Sequence, residues 1–350
     1  MSESIKKVSV NGISFEIEDS KARALDVLGL STGGFASNQD VFLVAVEKRV
    51  LRIFANTTIA VGDTRVNINA NVDLPFMDLL DTGSVAAGKD YYVYLSDSGE
   101  FIVSLNSTFP DGFMADNTRK IGGFHTLCAD VGEIAGHTLS GYVAGDILPA
   151  SVWCLNHHPY SAPEGMVYIP ETDVWVDIYN TSGSLTSPKS VYGGTRLHTL
   201  THYQFAEAML FVNKSLLTDA DFTAAMEGSN QKTAVKGAAQ PNPDTTGGRV
   251  DTAGRRMISN YGCEEGCGLQ WQWLDCGQNA NGGSGWAAVT GIDGVSGSKG
   301  STYGVPLALL AGGPWAGSAY CGSRSRYAND ARSHAGANCG GRGRSRNCTR

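Results

Sequence analysis

The sequence predicts a mostly β protein of more than one domain, and three observations predict it. The 350 residues exceed what one hydrophobic core usually organises. Glycine is abundant, at 44 residues, and helix-period stretches are few. Short β-branched or aromatic runs recur between clusters of Gly, Asp, Asn and Ser, which is the pattern of strands and turns.

The elements follow in order. Residues 1–39 carry an alternating run from Val8 to Ile17 and a short helix expected near Ser20 to Leu28, ended by Gly29. The segment is too small for its own core, so an oligomerising role is expected, with a loosely attached arm as the alternative. Residues 40–155 read as strand after strand. The clearest hairpin is Asp90–Leu95 with Glu100–Ser104, because Gly99 supplies the positive φ that the turn needs. A small β-sandwich is expected there.

Residues 156–350 form a further unit. A hairpin pairs Met166–Ile169 with Val174–Tyr179, and two helices follow. Phe205, Ala208, Met209 and Val212 fall on one face of the first. In the second, Thr218 is the expected N-cap with Asp221 three residues on, Phe222, Ala225 and Met226 share a face, and Gly228 is the stop. Residues 228–256 are expected to be a long exposed loop, Leu269–Leu274 a buried strand, and the Gly-rich remainder mostly irregular.

Charge is unevenly spread. Of the net −7, residues 311–350 carry +6, from seven Arg and one Asp, and the rest carries −13. A basic end suggests nucleic acid, yet these Arg alternate with Gly, Ser and Ala, without Lys, and the only rings among them are Trp315, Tyr320 and Tyr327. No nucleic-acid partner is expected. Lys6 and Lys7 have no apolar run behind them, and nowhere do eighteen apolar residues follow one another, so no export signal and no membrane insertion are expected. Eight Cys in a chain of this length read as reduced thiols rather than a disulfide scaffold.

Other motifs carry less chemistry. His198-x-x-x-His202 has metal-ligand spacing if helical, with His157-His158 upstream, but without a third ligand pattern these read as surface or capping groups, and no metal is expected. Cys263-Glu264-Glu265-Gly266-Cys267 lacks a second tightly spaced pair, so plain thiols or one disulfide are expected. The Gly-rich run Asn279–Gly285 lacks the Lys and the following helix that a phosphate cradle needs. Trp271 and Trp273 read as core rather than as a sugar platform.

Several motifs in shared order make residues 41–350 resemble the tropism-determinant family of phage proteins, the variable proteins of diversity-generating retroelements. They are Asp90–Gly99, Arg119–His125, Gly165-Met166 through Trp175–Tyr179, Ser187–Ser190 with Gly193-Gly194, Phe205–Met209 and Leu269–Trp273. The last are Gly300–Tyr303, Gly312-Gly313-Pro314-Trp315, Gly322-Ser323-Arg324 and Arg342-Gly343. The resemblance implies a homotrimer with an N-terminal β-prism, a β-sandwich, and a C-terminal α+β domain of C-type-lectin-like fold. Its exposed face would bind a receptor, protein or glycan, on a host bacterium, without any cofactor. It places the protein in the virion, at the distal tail fibre, with display on a bacterial surface as the alternative.

Carried over position by position, the diversified sites fall on Pro314, Ala316, Gly317, Ser318, Tyr320, Tyr327, Asn329, Asp330, His334, Gly336, Asn338 and Cys339. Trp315, Gly322, Ser323, Arg324, Gly340 and Arg342 match fixed framework positions, while Arg344, Arg346 and Cys348 receive no role. Mutagenesis in this family favours AAC codons, and a codon ending in C cannot encode Met, Gln, Lys, Trp or Glu. Between Ala311 and Arg350 only Trp315 belongs to that set, which fits. Tyr320, Tyr327, His334 and Asn329 are the expected anchors, since binding on such faces rests on a few aromatic or adaptable polar side chains.

The same scaffold also occurs in enzymes of the formylglycine-generating and sulfoxide-synthase type, whose C-termini share the Gly-Gly-x-Trp pattern. Cys321, Cys339 and Cys348 lie in the right region for such a site. Catalysis cannot sit on a randomised residue, and Cys339 occupies such a position, so a non-enzymatic binding protein is the preferred expectation.

Overall fold

A computed structural model describes residues 7–10, 13–16, 34–235, 244–279, 285–290, 296–304 and 306–349. The alternating N-terminal run forms the antiparallel pair β1 (Lys7–Val10) and β2 (Ile13–Glu16), with Val10 opposite Ile13. The helix expected near Ser20 to Leu28 lies outside the described residues.

Six short strands follow: β3 (Phe35–Ser37), β4 (Leu43–Glu47), β5 (Val50–Ile53), β6 (Thr57–Val61), β7 (Thr64–Ile68) and β8 (Val72–Pro75). They make two three-stranded sheets, ordered β3-β6-β7 and β4-β5-β8. Alternation drives the packing: on β6, Thr57, Ile59 and Val61 are buried and the residues between them are not. The hairpin read from the sequence is β9 (Asp90–Ser96) with β10 (Phe101–Ser104), Leu95 facing Phe101, and Gly99 adopts φ +86° in its turn. Strand β11 (Thr118–His125) pairs on the other side of β9. Phe76 fills the space against Phe124 and Tyr91, at centroid distances of 5.0 and 6.0 Å.

Next come β12 (Trp153–Cys154), β13 (His157–Pro159), β14 (Met166–Ile169), β15 (Val174–Asp177), β16 (Ser182–Ser184) and β17 (Ser187–Lys189). Helix α1 (His202–Leu210), β18 (Ser215–Leu216) and helix α2 (Asp219–Ala225) follow. The second helix starts as read. Thr218 and Asp221 form a reciprocal capping box, and Phe222, Ala225 and Met226 are fully buried. The same device opens α1, where Thr201 and Gln204 cap each other. Phe205, Ala208 and Met209 face inward, while Val212 lies in the turn beyond the helix.

The last third is strand-rich rather than irregular. It holds β19 (Trp271–Asn279), β20 (Trp286–Thr290), β21 (Ser296–Tyr303), β22 (Pro306–Gly312), β23 (Gly322–Ala331), β24 (Cys339–Gly340) and β25 (Gly343–Thr349). The start of β19 is the buried strand expected over Leu269–Leu274, while glycine-rich composition hid most of the others.

β25 has an architectural role that the sequence did not offer. It sits between β13 and β15 in a sheet ordered β10-β9-β11-β12-β13-β25-β15-β14, with Cys348 opposite His158 and Ser345 opposite Trp175. One sheet therefore crosses residue 155, and Met166 and Trp175 share the hydrophobic cluster of the preceding strands. The expected exposed loop after Gly228 is also different. In its described parts Ser229, Asn230, Ala234, Thr246, Asp251 and Arg256 are buried. Polar composition misled there, since several of the polar side chains are bonded internally, as where Thr233 Oγ1 donates to Asp251 at 2.6 Å.

Candidate binding face

The C-terminal face is built on a four-stranded sheet ordered β23-β22-β19-β24. Strand β22 is the floor: Ala308, Leu310 and Ala311 are fully buried, with Leu310 opposite both Trp273 and Tyr327. Strand β23 is the edge, and most of its side chains are exposed or half-exposed. A rigid buried strand thus carries a displayed one.

Between them runs the segment 313–321. Gly312 and Gly313 take φ of +90° and +95°, and a side chain on Gly312 would collide with the Gly266 carbonyl, so the turn admits only glycine. Beyond it the Gly268 N–H donates to Gly313 O at 3.1 Å, the Gly317 N–H to Pro314 O at 2.9 Å, and the Lys232 N–H to Cys321 O at 2.8 Å. The loop is held by backbone, which leaves its side chains free to differ.

Its outer surface encloses an open cleft of about 700 Å³, lined by Trp271, Pro314, Ala316, Gly317, Ala319, Tyr320, Ser325, Arg326 and Tyr327. Tyr320 is 73 % exposed and Tyr327 38 %. The Tyr327 ring lies 5.7 Å from that of Trp271, tilted by 34°. Arg326 is fixed by Asp219, donates to Thr223 Oγ1 at 2.7 Å and lies 5.0 Å over the Phe222 ring. The cleft therefore has an aromatic, largely apolar wall and one immobilised cation.

Of the residues expected to vary, Pro314, Ala316, Gly317, Tyr320 and Tyr327 line this cleft, and Ser318 lies in the 3-10 turn Ser318–Tyr320. Asn329 and His334 are exposed, and Asp330, Gly336 and Asn338 half-exposed, along the end of β23 and the loop after it. Cys339 is a correction: it is fully buried among Phe205, Leu310 and Trp273, so its side chain does not lie on the surface. Position along the chain could not reveal this, because β24 turns inward to pair with β19.

Trp271 is the complementary correction. Spacing of two puts it on the same sheet face as Trp273, but Trp273 is covered, with the His202 ring 5.8 Å away, whereas Trp271 is only half buried and opens onto the cleft. Ala319, Ser325 and Arg326 are also lining residues that motif matching missed.

Behind the face lies a buried polar layer. Arg342, 1 % exposed, donates to the carbonyls of Asp177, Ile178 and Glu264 at 2.6, 2.5 and 2.6 Å, and to Gln272 Oε1 at 3.1 Å. Gln270 accepts from Arg196 and donates to Asn180 Oδ1 at 3.0 Å. Arg256 grips Glu264 with two nitrogens, at 2.6 and 3.0 Å. The basic tail is thus largely consumed internally: Arg344 faces Asp221 at 3.2 Å, and Arg346 lies over the Tyr160 ring.

Beside that pair, burial and the neighbouring Glu264 carboxylate push the Glu265 carboxyl up from its ordinary 4.5 to about 7, against the opposing pull of Arg249, 3.2 Å away. Between those values the folded chain keeps a proton that the unfolded chain has lost. Stability therefore falls as pH rises through this window and levels off above it. Glu265→Gln is expected to flatten that fall, read as a smaller difference between thermal midpoints at about pH 4.5 and about pH 8. An unchanged difference would contradict the assignment.

The remaining motifs are structural. Cys263 and Cys267 are buried thiols pushed by burial to about 11 and 12, far from a reactive thiolate. His202 is buried rather than on the surface: it opens α1, and its Nε2 lies 3.1 Å from Leu274 O. His157 and His158 are buried on β13, His157 packed against Tyr168 and Trp175.

Comparison with known proteins agrees with this geometry. Residues 41–154 match the family model described as Mtd second domain. A tail fiber receptor-binding protein of Bordetella phage BPP-1 is 29 % identical over 264 residues, covering 69 % of this chain and 67 % of that protein. The solved Major Tropism Determinant M1 variant superposes with a TM-score of 0.78 at 26 % identity, over 90 % of this chain and 86 % of the other. The U1 variant gives 0.78 at 25 % identity, over 96 % and 89 %. The mostly β architecture, with its C-type-lectin-like C-terminal part, is the architecture of those proteins. In its second domain, its fold and its sequence alike, the chain is similar to the major tropism determinants.

Proposed function

We propose that this is a phage receptor-binding protein of the virion tail, that residues 156–350 display the receptor site, and that residues 40–155 act as its spacer. The observation that carries the reading is the cleft between Trp271, Tyr320 and Tyr327, on a face whose backbone is held from below and whose side chains are not. Large rings at low entropic cost, beside small polar residues, are what adaptable binding surfaces use. The relatives named for receptor binding and tropism support the same function.

The receptor is a protein or glycan of the host surface, and the twelve positions from Pro314 to Cys339 are the diversified set, with Cys339 acting from within the core. A homotrimer presents three such faces, raising a modest single-site affinity by about 10² or more where several receptors are in reach. The enzyme alternative is the weaker one, because burial holds the Cys321 and Cys339 thiols near 11 and 12.

Sequencing of the encoding locus across a natural population tests the diversification. Substitutions are expected to concentrate at the codons for Ala316, Ser318, Tyr320, Tyr327, Asn329, His334 and Asn338, while Trp315 and Arg342 stay fixed. Variation spread evenly along the chain would overturn it.

A further inference from the structure

We propose that Asp330, His334 and Cys339 form a site for a zinc-class divalent cation at the rim of the binding face. One ligand atom from each lies within 4.8 Å of the other two, and His334 Nε2 is 3.6 Å from Asp330 Oδ2. A tetrahedral ion with nitrogen and oxygen ligands at about 2.0–2.2 Å sets those two atoms roughly 3.4 Å apart, close to the spacing of Asp330 and His334 here. Carboxylate, imidazole and thiolate together are the ligand chemistry of zinc and of ions that resemble it, and not of magnesium or calcium.

The open space at Gly336 lies beside two of these ligand atoms. A Cβ at that position would stand 2.5 Å from Asn338 Oδ1, 2.8 Å from His334 Nε2 and 3.3 Å from Cys339 Sγ. Two of the proposed ligand atoms, His334 Nε2 and Cys339 Sγ, therefore converge with the Asn338 amide oxygen on the spot that this glycine leaves without a side chain. The backbone fixes the arrangement: the His334 N–H donates to Ala331 O at 2.8 Å, and the Cys339 N–H to Gly336 O at 3.0 Å. Cys339 fits this role better than a surface role, since its sulfur reaches the site from the buried side while His334 closes it from solvent.

Three protein ligands leave one tetrahedral position, as in zinc sites that accept an outside ligand. Cation binding itself does not depend on the receptor reading. All three ligands belong to the set expected to vary, so the site is a property of this sequence rather than of the scaffold.

The test uses the full chain, reduced and stripped of metal, titrated with Zn²⁺ by calorimetry and with Co²⁺ by absorbance. One ion per chain and a thiolate-to-cobalt charge-transfer band are expected. His334→Ala and Asp330→Asn, both at accessible positions, should each weaken binding by more than about tenfold, since even outer-shell partners of a metal are worth that much. Both should melt at the wild-type temperature. Cys339→Ser should abolish the charge-transfer band, and should its burial prevent folding, the two accessible variants decide alone. No binding, or a thiolate band and affinity unchanged in His334→Ala, would overturn the proposal.

Discussion

Arg342→Met is expected to cost about 3–5 kcal/mol of folding stability, the loss that follows when one partner of a buried charged network is removed. The side chain serves three backbone carbonyls and Gln272, so a shape-matched apolar residue takes their shared donor from the Asp177 and Glu264 carbonyls and Gln272 Oε1, while Ile178 O keeps only the Glu264 N–H. A domain's whole stability is about 5–15 kcal/mol, so the thermal midpoint should fall by roughly 10 °C or more. Arg342→Lys should recover little, because an ammonium cannot reproduce the planar fork. By contrast Ala316→Ser and Asn329→Asp, on the exposed face, should stay within about 0.5 kcal/mol of wild type. Thermal melts followed by circular dichroism measure both, and equal losses at buried and displayed positions would contradict the division between scaffold and face.

The second large effect concerns binding. Truncation of Tyr320 and Tyr327 together to Ala is expected to weaken attachment to receptor-bearing cells by at least about a hundredfold, since hot-spot aromatics are worth about 2 kcal/mol or more each. Tyr327 also supports the wall of the cleft through Trp271, so its loss removes both its own contact and the shape of that wall. Neither ring is part of the buried core, so the double variant should melt close to wild type.

Much of this was legible in the residues. Capping chemistry fixed α2, where Thr218 and Asp221 announced the helix and Gly228 ended it. The hairpin at Gly99 and the hydrophobic faces of both helices followed from period and turn residues alone. The face itself was legible only through resemblance, because β22 is buried on both its faces and β23 is displayed along most of its length, so neither alternates as a half-buried strand does.

What escaped has a common physical cause: it depends on contacts between residues far apart in the chain. β25 draws its role from β13 and β15, residues more than 160 positions away. Cys339 is buried and Trp271 half-exposed because of what covers each, and neither spacing nor composition reports cover. The buried polar residues between 229 and 256 looked like loop for the same reason, since a Thr or Arg satisfied internally is indistinguishable in sequence from one facing water.

Cell binding decides whether the cleft of Tyr320 and Tyr327 binds a bacterial surface receptor. Labelled wild-type protein and the Tyr320→Ala/Tyr327→Ala variant would be titrated onto intact cells of a strain panel, with folding of both checked by thermal melt. Saturable attachment of wild type to a subset of strains, lost at least about a hundredfold in a variant that melts normally, is the predicted result. Undiminished attachment of the folded variant to the same strains would contradict it.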